Sequence, residues 1–501
     1  MQKIYEKLLT TERARESTNA GRNIVIESES DRARLVFSAP FRRLQQKAQV
    51  FSLEENAAVR SRLTHSIEVA QIGRFIANQI VNKLFSDNGV DPKSAQAFVN
   101  FVEVACLMHD LGNPPFGHFG EAAIANWFSE NGAACVRKAL GLCDASNIEI
   151  ESLISDGLAD FKEFDGNCQG LRIATLLQWN TDEFGLNLTF TTLASYLKYI
   201  RAPLFDSVKV RDLPFRKKAG FFSTEKTVVE TMWKHFGYSI EDPKRFPLAY
   251  IMEAADDIAY CISDLEDSIE KELLHPNIVF KALHTYWEEA TADSKISASD
   301  PGILKLSSIF AEAANSPNGN KTTFTTFRTR LSTYLTEVAC QSYCDNHQSI
   351  LDGECRGLIQ EKTPEGIALY VLKEYCRKYV YHHVSVHQTE LTGLTAINGL
   401  LEHFRTLLSC RHDRFLSALD NKKVDFSGSP IIIERKLLAL FPEKHIIAYR
   451  HSLSALDLNS SLKNQITEWN LRGHLITDFI SGMTDDFALR SYQMLSGMRK
   501  P

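Results

Sequence analysis

Apolar residues recur along this chain at steps of three and four. Leu63, Ile67, Ala70, Ile76, Ile80 and Leu84 keep that spacing, or multiples of it, and predict an amphipathic helix. The segment AFVNFVEVACLMH (97–109) is apolar nearly all round, the pattern of a helix buried on every side. AYIMEAADDIAYCISDLEDSIEKELL (249–274) contains no Gly or Pro and is expected to form one long helix. Further along, GLTAINGLLEHFRTLLS (393–409) and LKNQITEWNLRGHLITDFISGM (462–483) are again amphipathic. Strand-like stretches are few: LNLTFTTL (186–193) and GSPIIIERK (428–436) are short and weak candidates. The expected fold class is therefore mainly α. Polar runs with Gly, Asn and Asp predict loops near 130–165 and 290–325. Three segments are expected: an N-terminal arm (1–30), a helical core (31–290) and a C-terminal helical region (291–501).

Composition narrows the class without naming a chemistry. The 501 residues are 44% hydrophobic and 24% charged, with a formal net charge of −6, which disfavours non-specific binding to nucleic acid or membrane surfaces. Two local basic runs, PFRRLQQK (40–47) and VRDLPFRKK (210–218), are the exceptions. No apolar run reaches the length of a membrane span, and MQKIYEKLLTTERARES lacks a signal-peptide core. The ten cysteines include no C-x-x-C pair, which argues against zinc fingers and dithiol redox motifs. A soluble, cytoplasmic protein with no membrane partner is the expectation.

Chemistry concentrates in LMHDLGNPPFGHFGE (107–121). A His-Asp dipeptide alone carries little weight among 15 histidines, and the chain holds a second, His412-Asp413, expected on a solvated face. His109-Asp110 differs because it ends an apolar helix, where an imidazole and a carboxylate are costly unless paired or metal-bound. Gly112, Pro114 and Pro115 then stop that helix. His65 and Asp256 sit on other helices with apolar flanks. Taken singly, the former reads as a hydrogen-bonded core histidine and the latter as half of an ion pair. Together the four make an N2O2 set suited to Mn2+, Mg2+, Fe2+ or Co2+, not to a closed structural zinc site. In Asp256-Asp257 the two side chains point about 100° apart, so one alone should reach a metal. His118 and Glu121, three residues apart, share a helix face, where a carboxylate can fix the imidazole tautomer.

The spaced set His65, His109-Asp110, Asp256 resembles the H…HD…D signature of HD-domain phosphohydrolases. Five blocks in order sharpen the likeness: RRLQQKAQVFSLEENAAVRSRLTHSIEVAQIGR (42–74), CLMHDLGNPPFGHFGEAA (106–123), FDGNCQGLRI (164–173), LKYIRAP (197–203) and EAADDIAYCISDLEDSIE (253–270). They resemble the dNTP triphosphohydrolases, and most of all the long bacterial dGTP triphosphohydrolases. GMTDDFALRSYQML (482–495) is the best block in the C-terminal half. The resemblance implies an HD-domain helical fold for 31–290, with the C-terminal region completing the substrate pocket and oligomer contacts. It implies metal-dependent hydrolysis of dGTP to deoxyguanosine and tripolyphosphate, controlling the dNTP pool. A broad-specificity dNTP triphosphohydrolase and another HD-domain nucleotidase or phosphodiesterase are the alternatives. Carried over by position, His65, His109, Asp110 and Asp256 are metal ligands, and His118 with Glu121 serves catalysis. Lys198 and Tyr199 contact phosphate, Arg62 is a further phosphate candidate, Tyr260 packs on the deoxyribose, and Asp264 with Gln49 binds the 3′-hydroxyl. The same resemblance implies a Mn2+ or Mg2+ cofactor, a homo-oligomer, often a hexamer, and allosteric control. It also keeps single-stranded DNA as an effector.

Overall fold

The apolar pattern is densest in the helix Pro92–Met108, and the fold is organised around it. Asp91 caps this helix by accepting the N–H groups of Lys93 and Ser94, and Pro92 takes the first position, where an N–H has no partner to lose. Every residue from Ala97 to Met108 is buried. The computed structural model describes residues 1–499 apart from 20, 55, 143–146, 180–181, 204–212, 240, 317–319 and 459. Among these the chain is mainly α, and β pairing is limited to four isolated bridges. No described helix is long and apolar enough to cross a membrane.

The principal helices are numbered here α1 (Arg62–Ile80), α2 (Pro92–Met108), α3 (Gly117–Leu140), α4 (Ile148–Lys162), α5 (Pro247–Glu270), α6 (Pro276–Asp293), α7 (Pro301–Ala314), α8 (Lys321–Asp345), α9 (Pro364–Cys376), α10 (Val384–Ser409), α11 (Leu462–Ser481) and α12 (Asp485–Leu495). They build two hydrophobic cores. The first gathers α1, α2, α5 to α9 and the N-terminal residues Tyr5, Leu8 and Leu9. The second joins α3 and α4 to α10, α11 and α12, so residues 116–168 pack with residues 396–488. The cores thus divide the chain differently from cuts at 30 and 290. The arm is locked in as well: Arg13 pairs with Glu27 and Asp31, all buried.

Several local expectations are corrected. The loop expected at 130–165 contains the end of α3 and all of α4; most of their polar residues face outward, Asp160 excepted, while Cys135, Val136, Leu158 and Phe161 are buried. The loop expected at 290–325 is interrupted by α7, started by Asp300 accepting from Gly302 and Ile303. Residues 143–146 and 317–319 of these stretches, Cys143 included, lie outside the described residues, as do 210–212 of the second basic run. Neither strand candidate forms a strand. Thr189 instead caps the short helix Phe190–Tyr196, and Pro430 precedes the helix Ile432–Leu438. Hydroxyl capping and a proline outweigh β-branched composition over so few residues. The long helix ends at Glu270, short of 274. In α1, Ile67 is 53% exposed, and a π-turn at Val81–Phe85 breaks the period before Leu84.

Candidate active site

Helices α1, α2 and α5 deliver three ligand-type side chains to one point. His65 on α1, His109 at the end of α2 and Asp256 in α5 offer atoms that all lie within 4.8 Å of one another. Asp256 Oδ1 stands 3.4 Å from His65 Nε2 and 3.5 Å from His109 Nε2. Neither Nε2 has a hydrogen-bond partner, although both are buried. His109 Nδ1 lies 2.7 Å from the Cys106 carbonyl oxygen, so donating its proton there would leave Nε2 as a free lone pair. Buried, unpartnered nitrogens beside a carboxylate, with no thiolate in the group, fit a divalent cation of nitrogen and oxygen preference. Asp110 stands at the edge of this group: Oδ1 is 3.6 Å from His109 Nε2, while Oδ2 accepts from Arg62 at 2.9 Å.

Electrostatics keep both carboxylates ionised. Burial pushes Asp110 up, but Arg62, His109 and His65 outweigh it and hold it at about 2. Burial opposes ionisation of Asp256 too, and Lys198, 3.1 Å away, and the two histidines overcome it. Its neighbour Asp257 turns away to Lys373 at 2.9 Å, as the angle between adjacent helical side chains requires.

After His109-Asp110 the chain leaves the first core through Gly112-Asn113-Pro114-Pro115 and enters the second at Phe116. Phe116 adopts a left-handed conformation (φ 62°), rare for a residue with a side chain. A Cβ on Gly393 of α10 would lie 2.4 Å from the Phe116 ring, so only glycine there lets α10 close over it. Two residues on, His118 Nδ1 lies 2.8 Å from Glu121 Oε2, while Glu121 Oε1 accepts the Gly166 N–H at 2.7 Å. The carboxylate is thereby fixed at both oxygens, and the His118 pKa is raised, first by its bond to Glu121.

These groups line a cavity of about 590 Å³. Of the sequence-expected residues, Gln49, Arg62, His109, Asp110, His118, Glu121, Lys198, Tyr199, Asp256 and Tyr260 reach its wall. His65 and Asp264 do not; both are fully buried behind it. Asp264 is reached through Tyr381, whose hydroxyl donates to Oδ2 and lies 2.7 Å from the Tyr260 hydroxyl. Burial raises the Asp264 carboxyl to about 7. Gln49 Oε1 is buried without a partner.

Among the lining residues that the sequence did not single out are Lys218, Lys373 and Tyr381. Lys218 pairs with Asp165 at 2.6 Å, Lys373 pairs with Asp257, and Tyr381 ends a π-turn. Each meets its partner across a long separation, so no spacing betrays it. The second dipeptide is not simply a solvated face either: His412 Nδ1 sits 3.4 Å from the buried Glu468.

Comparison with known proteins gives a family. The HD domain model matches residues 62–159, which carry His65, His109 and Asp110. The chain is 36% identical over 496 residues to the deoxyguanosinetriphosphate triphosphohydrolase of Serratia proteamaculans (strain 568), covering 94% of each chain. It is 35% identical over 489 residues to that of Yersinia enterocolitica serotype O:8 / biotype 1B, covering 93% of each. Against that of Yersinia pestis (strain Pestoides F) it is 36% identical over 493 residues, again covering 93% of each. Identity at this level, sustained through both cores, means that the chain belongs to the deoxyguanosinetriphosphate triphosphohydrolase family of HD-domain hydrolases.

Proposed function

We propose that this protein hydrolyses dGTP to deoxyguanosine and inorganic tripolyphosphate with a divalent metal, Mn2+ or Mg2+, held by His65, His109, Asp110 and Asp256. The observation that carries the proposal is the meeting of two devices in one cavity: the close His65–His109–Asp256 group and the His118–Glu121 pair. When bound, the cation supplies Lewis-acid polarisation of a phosphate and lowers the pKa of water beside it.

The protein side chains supply the rest. Cleavage at the α-phosphorus needs a proton delivered to the departing 5′-oxygen and one removed from the attacking water. His118, held at Nδ1 by Glu121, which raises its pKa, suits such proton transfer. The triphosphate carries about four negative charges and needs fixed cations. Arg62, Lys198, Lys218 and Lys373 face the cavity, each braced by a carboxylate: Asp110, Asp256, Asp165 and Asp257 respectively. Bracing holds these side chains in place before substrate arrives. Tyr199 adds a ring on the phosphate side, while Tyr260 and Gln49 form the sugar side, backed by Asp264 through Tyr381, with Gln49 Oε1 free to accept a hydroxyl.

The test is product identification with each of the four dNTPs in Mn2+ or Mg2+. Deoxyguanosine and tripolyphosphate, with dGTP turned over fastest, are expected; monophosphate products would refute triphosphohydrolysis. Equal rates on all four would replace dGTP preference by broad specificity. A cytoplasmic homo-oligomer, hexameric by resemblance, and a single-stranded DNA effector belong to the same proposal. Sedimentation and a salt-dependent gel shift read them.

A further inference from the structure

Two buried charged residues outside the metal group tie the C-terminal helices to the turn between His109 and His118. The Lys47 ammonium donates to the Asn113 carbonyl at 2.5 Å and to the Ser481 carbonyl at 2.7 Å. Ser481 is the last residue of α11, where helix carbonyls lack partners and a cation is favoured. Asp485, first residue of α12, accepts the Phe116 N–H through Oδ1 at 3.0 Å and the Ala48 N–H through Oδ2 at 3.1 Å. The Lys47 carbonyl in turn accepts the Arg62 N–H at 2.9 Å.

One carboxylate and one ammonium therefore tie the C-terminal helices to two pieces of the cavity wall, the segment leading to Gln49 and the 113–116 turn, while the Lys47 backbone carbonyl holds the start of α1. Both side chains are buried. Burial lowers Lys47 to about 7 and raises Asp485, so keeping them inside costs stability that an apolar pair would not. Phe116 needs such support, since its left-handed backbone is maintained only by its surroundings.

We propose that Lys47 and Asp485 are positioning residues, a latch through which α11 and α12 set the working place of His118. The kinetic part of this inference rests on the proposed hydrolysis of dGTP; the latch itself is read without it. Hydrogen exchange at the Phe116 and Ala48 amides gives that reading. In Asp485→Asn both amides should exchange faster while those of α2 keep wild-type protection; unchanged exchange at Phe116 overturns the latch.

The kinetic arm is a double-mutant cycle with His118→Ala, following tripolyphosphate released from dGTP. Asp485→Asn is expected to lower kcat about tenfold to a hundredfold with KM little changed, the cost of a misplaced reacting group. In the His118→Ala background the same change should cost almost nothing further, because the residue it acts through is gone. Mn2+ affinity, measured by calorimetry, should stay at the wild-type value in Asp485→Asn. Losses that multiply across the cycle, or an unchanged kcat, would overturn positioning through His118. If melting shows Asp485→Asn unfolded, Lys47→Met takes its place in the same cycle. Failure of both variants to fold overturns the assignment in favour of a purely structural contact. A wild-type protein that releases no tripolyphosphate refutes the proposed function and leaves the exchange result to decide the latch.

Discussion

The two cores differ in how they are drawn from the chain and in what they contribute to the cavity. The first supplies the metal-type group on α1, α2 and α5, each side chain held by a long apolar helix. The second supplies His118 and Glu121 on α3, and α3 is packed by helices more than 250 residues later in the chain. Only the 112–116 turn joins His109-Asp110 to His118. The proposed metal ligands and the proposed proton-transfer pair thus sit on separate packing units, and a change in one need not disturb the other.

Asp256→Asn gives the harshest test of that separation. It should abolish Mn2+ binding, read by calorimetry, and tripolyphosphate release together; retained metal with lost turnover would break the division. Next in size, His118→Ala should lower kcat by about 10²- to 10⁴-fold. Mn2+ affinity should stay at the wild-type value, and loss of metal would show that the units are not independent. A third change acts on the contact between α10 and the turn. Gly393→Ala places a methyl 2.4 Å from the Phe116 ring and should cost about 1–3 kcal/mol in chemical denaturation. A neutral result would mean that α10 yields easily at this point.

The smallest effect concerns pH. Burial lowers His445, beside Asp478 of α11, from 6.5 to about 4. A depressed folded pKa means that the unfolded chain takes up the proton first. The associated stability is therefore present above pH 6.5 and lost as pH falls towards 4. Melting from pH 7 to 4 should show this loss, and His445→Asn should flatten part of it. Parallel pH curves for the two proteins would remove His445 from the account.

Legibility in the sequence followed the same division. The apolar run 97–108 stands out because burial on all sides leaves an unbroken apolar stretch, and the stretch 249–270 of α5 because it is long and free of Gly and Pro. His109-Asp110 stood out because its flank was apolar. The second core was harder to read. α3 and α4 carry enough polar residues on their outer faces to resemble a loop. Lys373 and Tyr381 reach the cavity by tertiary packing alone, and nothing in their neighbours marks them, while Lys218 closes a basic run that carries no sign of which lysine faces the cavity. Asp264 was expected in the pocket but lies behind Tyr381, since the α5 face that points at the cavity at Tyr260 turns into the protein by Asp264.

The bond from Phe116 to Asp485 also has a consequence for the order of synthesis. As the chain leaves the ribosome, α1, α2 and α5 are out once residue 270 has emerged, and the first core that holds the metal-type group gains α9, the last of its principal helices, at residue 376. The support for His118 arrives only with residue 485, near the end of translation. A chain stopped before residue 485 would lack the carboxylate that holds the Phe116 amide two residues ahead of His118. The placement of His118 is thus the last feature of the cavity to be completed as the chain is made.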